Sequence, residues 1–118
     1  MKRPDPKPDK PYRASANQWA RLRENELGAW CDVCCRARAD SLHHIVRKSQ
    51  SGDDYAVNLL SVCGDGVRGC HGLIEARDPF TLSIVRTLIE ARIPTLSYVL
   101  NKKGYGWLER SYPEQKAA

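Results

Sequence analysis

Ser41-Leu42-His43-His44-Ile45-Val46 is the stretch on which the reading of the fold turns. With branched residues at its end it reads as a short strand. Residues 47–57 after it are polar and carry Ser51-Gly52-Asp53-Asp54, a strong loop signal. Leu59-Leu60-Ser61-Val62 reads as a second strand, so the segment predicts an antiparallel hairpin with a long connecting loop. Neighbouring side chains on a strand point to opposite faces. One of His43 and His44 can therefore bind a metal while the other faces a substrate, once twist or a loop turns both toward one cleft.

Cysteines bracket the hairpin. Cys31-Asp32-Val33-Cys34, with Cys35 beside it, precedes the first strand, and Cys63 and Cys70 follow the second. The N-terminus, Met1 to Pro8, lacks the apolar core of a secretory signal, and five cysteines in such a chain favour metal binding over disulfides. Cys31, Cys34, Cys63 and Cys70 offer four thiolates from two turns, the soft donor set of a structural zinc. Six residues separate the second pair, and Gly64, Gly66 and Gly69 among them let the backbone bulge out and return. Buried free cysteines are the alternative, and Cys35 is a spectator able to replace Cys34 geometrically. No βαβ pattern surrounds the CxxC pair, which argues against a redox motif.

Further out, Ser15-Ala16-Asn17-Gln18 has the form of a capping box. Trp19, Leu22 and Leu27 follow at helical spacing and Gly28 supplies a stop, so a helix is expected there for packing rather than chemistry. A helix of about two turns is expected over residues 70–77, weakened by Gly72 by roughly 1 kcal/mol relative to alanine. Asp78-Pro79 supplies an N-cap and a first helical residue, and Phe80, Ile84, Val85, Leu88, Ile89 and Arg92 fit one face of the next helix. Residues 95–101 fit a helix or, through alternating Leu96, Tyr98 and Leu100, a strand. Tyr105 to Leu108 should fold back onto the core, and Trp19, Trp30 and Trp107 read as core residues.

The chain of 118 residues has room for one domain. Residues 1–14 read as a charged proline-rich tail, a solubilising leader or a basic arm along a phosphate backbone. The domain is expected over 15–113, with its core at 31–77 and a second tail at 114–118. A formal charge of +5 is compatible with a polyanionic partner. No apolar run approaches the roughly 20 residues of a bilayer crossing, and a soluble, intracellular (cytoplasmic) protein is expected.

Leu42-His43-His44-Ile45, Ser51-Gly52-Asp53-Asp54, Asn58-Leu59-Leu60 and Cys70-His71, in that order, resemble the HNH or ββα-metal nucleases. The resemblance covers about residues 31–77, with weaker similarity to phage-type HNH proteins running toward Trp107 and Pro113. It implies an α+β fold: a small ββα-metal core with a structural zinc, flanked by an N-terminal helix and C-terminal helices. It assigns His44 and Asn58 as the catalytic pair, His44 as general base and Asn58 holding the loop and orienting it. It assigns His43 and His71 as ligands of a catalytic divalent ion; many members carry Asp at the position of His43. Glu75, four helical residues after His71 on the same face, completes that metal site or is a surface acid; some members carry a histidine there.

The implied activity is metal-dependent cleavage of DNA to 5′-phosphate and 3′-hydroxyl ends. Two metals with different tasks are expected. One is the structural Zn²⁺; the other is a catalytic Mg²⁺, Mn²⁺, Ni²⁺ or Zn²⁺, of which Mg²⁺ suits histidine least. Arg36, Arg38, Arg47, Lys48 and Arg68 lie in turns around the cleft and could grip phosphates, Arg47 and Lys48 foremost because they follow the His44 strand. Two other readings are a non-catalytic zinc-ribbon-like DNA-binding module and a protein-interaction zinc domain. DNA is the expected partner, with a homodimer or a phage packaging partner left open, and no membrane.

Overall fold

The hairpin lies at the centre of the molecule. In the computed structural model, which describes residues 10–115, β1 (Ser41–His44) pairs antiparallel with β2 (Leu59–Val62). Ser41 stands opposite Val62 and His44 opposite Leu59. β1 ends two residues earlier than expected, because Val46 turns its N–H to the Asn58 side chain instead of a ladder partner. Ile45 and Val46 are nevertheless buried to 1% and 0% exposure and form the floor of the core. Every residue of β2 is buried, since α1 (Ala16–Glu26) and α2 (Gly69–Glu75) both lie against it. The fold is α+β: this two-stranded sheet and, among the described residues, five α-helices.

Both halves of the capping box at α1 are formed: Gln18 N–H donates to Ser15 Oγ at 3.2 Å and Ser15 N–H to Gln18 Oε1 at 2.9 Å. No residue of α1 is buried, so it overlies the domain rather than filling it. The chain before it also belongs to the domain, contrary to a tail ending at residue 14. Tyr12 N–H donates to Asp53 at 2.6 Å and Ala14 N–H to Asp54 at 3.0 Å, tying residues 12–14 to the hairpin loop. The rest of the expected charged tail, residues 1–9, and the last residues of the second tail, 116–118, lie outside the described residues.

Gly72 is unfavourable for helix propensity but necessary for packing. A Cβ there would stand 2.4 Å from the Val67 carbonyl, so the glycine lets α2 close on the turn between Cys63 and Cys70. That turn needs Gly64 as well, at φ +81° with Arg68 O 2.0 Å from where a Cβ would sit.

α3 (Pro79–Ala91) starts as expected, with Asp78 accepting from Thr81 N–H at 3.0 Å. Its buried face is Thr81, Leu82, Val85, Arg86 and Ile89 rather than one that includes Phe80, which is 59% exposed. Leu82, Val85 and Ile89 recur at i, i+3 and i+7, and Arg86 shares their face because its charge is met internally. Residues 95–101 are helical, within α4 (Ile93–Lys102), whose buried residues Thr95 and Val99 are one turn apart. α5 (Tyr105–Ser111) folds back as expected and buries Leu108, with Tyr112 after it 3% exposed.

Of the tryptophans expected in the core, Trp107 packs partly buried against it and Trp19 is half-buried. Trp30 is 58% exposed: its neighbour Cys31 points inward, so Trp30 points out. No described helix is long and apolar enough to cross a membrane.

Candidate functional site: two metal-ligating clusters

Four thiols meet where two turns face each other. The sulfurs of Cys31, Cys34, Cys63 and Cys70 all lie within 4.8 Å of one another, with Cys34 and Cys63 3.9 Å apart. Tetrahedral zinc with bonds of about 2.3 Å separates its sulfurs by about 3.8 Å, so donor set and spacing both fit a structural metal such as zinc. The turns also supply backbone donors to sulfur: Cys34 N–H to Cys31 at 3.5 Å, Arg36 N–H to Cys34 at 3.5 Å and Cys70 N–H to Cys63 at 3.4 Å. The Arg36 N–H, foremost, draws the Cys34 thiol down to about 7 against the burial that opposes it. Burial pushes the Cys70 thiol up, the cost of placing it inside without a counter-charge. Cys35 stays outside the group, exposed and at φ 56°.

The second cluster joins β1 to α2. One ligand atom from each of His43, His71 and Glu75 lies within 4.8 Å of the others, and Glu75 Oε1 stands 3.8 Å from both His43 Nδ1 and His71 Nε2. His71 and Glu75 share a face because they are one helical turn apart. Arg47 binds the other oxygen, Oε2, at 3.1 Å and so turns Oε1 toward the histidines. Ser41 Oγ donates to Gly64 O at 2.8 Å, which spends its only proton, so at 2.7 Å it accepts from His71 Nδ1 and leaves His71 Nε2 bare. Burial holds the His71 pKa below its ordinary value and that of His43, 2% exposed, down at about 3. Two neutral imidazoles and a carboxylate fit a divalent transition ion.

His44 faces a different partner. Its Nε2 lies 2.8 Å from Asp54 Oδ1, and Asp54 Oδ2 accepts from Ala14 N–H. Burial pushes the Asp54 carboxyl up, but the bonds from His44 and Ala14 outweigh it and hold it below the usual carboxylate range. An ionised carboxylate only accepts, so Nε2 carries the proton and Nδ1 is the free base. Burial lowers the His44 pKa despite Asp54, keeping the ring neutral near pH 7. Trp19 stacks on it, ring centres 5.7 Å apart and planes 13° from parallel, so α1 packs directly on this ring.

Asn58, expected as a catalytic partner, is fully buried and does not reach His44 directly. Its Oδ1 accepts from Val46 N–H at 2.8 Å, and its Nδ2 donates to Val46 O at 3.0 Å and Asp53 O at 2.9 Å. It ties the end of β1 to the loop bearing Asp54.

His43, His44, His71 and Glu75 line one open cleft of about 370 Å³, with Arg47, Lys48, Leu42 and Ser49. Arg36, Arg38 and Arg68 are exposed outside its lining. Arg13, expected only as a charge of the N-terminal tail, donates to Gly52 O and to Lys48 O and lies 3.8 Å from Asp54. Asp54 and Trp19 were likewise missed as partners of His44; two adjacent acids in a glycine-containing loop were the available signal for the first. No family model, curated protein or solved structure matches the chain.

Proposed function

We propose that the protein is a metal-dependent endonuclease that hydrolyses DNA phosphodiester bonds, with a ββα-metal core of the HNH type. The observation that carries this is His44, held by buried Asp54 at 2.8 Å, lining the same cleft as the His43–His71–Glu75 cluster. Such a pairing of a neutral, oriented base with three converging ligands is what phosphodiester hydrolysis requires, and a pure binding module has no use for it.

His44 Nδ1 takes a proton from water as the water oxygen attacks phosphorus, the bond to the 3′-oxygen breaks, and that oxygen takes a proton from solvent. The products are a 5′-phosphate and a 3′-hydroxyl. His43, His71 and Glu75 would hold a divalent ion, which would supply positive charge for the scissile phosphate and the leaving oxygen. Asp54 retains the His44 Nε2 proton and stabilises the imidazolium that forms, without accepting the proton itself. Arg47 and Lys48 provide charge for flanking phosphates. Cys31, Cys34, Cys63 and Cys70 would hold a structural zinc, which would serve as a scaffold and not as a catalyst.

Supercoiled plasmid incubated with the protein and Mn²⁺, Ni²⁺, Mg²⁺ or Zn²⁺ tests this directly. The expected outcome is metal-dependent nicking or linearisation, reduced by about 10²- to 10⁴-fold in His44→Ala. DNA binding without any cutting would leave the zinc-ribbon-like binding module as the better reading.

A further inference from the structure

His43 is 2% exposed, with one ring nitrogen met by a protein hydroxyl and the other directed at the Glu75 carboxylate. Nε2 lies 2.9 Å from the Tyr112 hydroxyl. That hydroxyl lies 2.6 Å from the carbonyl oxygen of Ile45. A carbonyl only accepts, so the single phenolic proton is committed to Ile45, and the Tyr112 oxygen meets His43 with a lone pair. Nε2 of His43 must therefore carry the ring proton, and Nδ1 is left bare. Nδ1 is the atom 3.8 Å from Glu75 Oε1. The other tautomer would set two lone pairs against each other at Tyr112 and put an N–H where a cation needs an electron pair.

We propose that Tyr112 is a positioning residue that fixes His43 in the Nε2–H tautomer, making the C-terminal helices part of the candidate metal centre. The link from α3 is continuous. Buried Arg86 donates from NH1 to the Tyr112 carbonyl at 3.1 Å, and is itself held by Glu90 at 2.5 Å and by the Tyr105 hydroxyl at 3.1 Å. Trp107 packs edge-on against the Tyr112 ring, centres 6.0 Å apart. Tyr112 and His43 are 69 residues apart in sequence, so the ββα segment does not contain the group that sets its own ligand. The tautomer follows from geometry alone; its effect on a bound ion rests on the metal centre proposed above.

The test uses the full chain with its cysteine site zinc-loaded and no other metal. Long-range ¹H–¹⁵N correlation spectra should show His43 as a single Nε2–H tautomer. An Nδ1–H pattern, or an average of the two, overturns the proposal even if no variant can be made. Tyr112→Phe removes the acceptor. In it, His43 should become a mixture of tautomers, and Mn²⁺ affinity at the cleft should fall about 10- to 100-fold with the cysteine zinc content unchanged. Unchanged tautomer and Mn²⁺ affinity in a folded Tyr112→Phe overturn the proposal. Wild-type protein that shows the fixed tautomer but binds no Mn²⁺ supports the tautomer assignment and overturns the metal centre.

Discussion

The two ligating clusters are built in opposite ways. In the cysteine cage, ligands and supporting donors come from the same short turns: the N–H groups on sulfur belong to Cys34, Arg36 and Cys70. In the histidine cleft every orienting partner is distant in sequence. Ser41 lies 30 residues from His71, Asp54 ten from His44 and Tyr112 69 from His43. The cage has local geometry with four equivalent soft donors, which suits a site that only has to close. The cleft has two different ligand types, and its imidazoles must each keep a specific nitrogen bare. A chemical site depends on which nitrogen is bare, and here that depends on the tertiary fold.

The largest expected effect lies in the cage. Cys34→Ala should lose zinc and with it the cooperative fold, because metal binding and folding are one equilibrium in a small domain. Zinc content and thermal unfolding by circular dichroism report this, and Cys35→Ser serves as the control that changes neither. A folded, zinc-replete Cys34→Ala would show the cage misdrawn, with Cys35 the first residue to examine.

A smaller effect is expected at the cleft. Asp54→Asn should keep zinc and fold but lower plasmid cleavage on the order of 10²-fold, chiefly in kcat, since the charge that favours the His44 imidazolium is gone. Full activity in that variant would reduce Asp54 to a loop fastener and break the contrast between the clusters.

The smallest effect is a shift in pH dependence. Burial lowers the His44 pKa, so the general base stays unprotonated, and activity should persist, as pH falls below the ordinary histidine value near 6.5. Asp54 opposes that lowering, so Asp54→Asn should move the acidic limb further down, not up. A limb that moves upward would show that Asp54 does not act on His44 through its charge.

These contrasts also explain what the sequence reveals. The hairpin was legible because its two strands bracket a glycine- and acid-containing loop, and the cysteine set because the spacing within each pair is local. The capping box at Ser15 and the Asp78-Pro79 start were legible for the same reason. Phe80 misled because period alone does not say which of two overlapping faces meets the core; burying Arg86 requires Glu90, Tyr105 and the Tyr112 carbonyl together. Residues 95–101 were ambiguous because three alternating apolar residues satisfy both periods, and packing against α3 makes them helical. Arg36, Arg38 and Arg68 looked like cleft residues only because charge carries no address along a chain.

The distance between His43 and Tyr112 also sets an order of events during synthesis. A nascent chain leaving the ribosome exposes Cys70, the last residue of its cysteine cage, before Tyr112. Until then the His43 ring has no partner to hold its proton on Nε2. The cysteine cage is thus available early, whereas the proposed His43 tautomer is set only when Tyr112 joins the core.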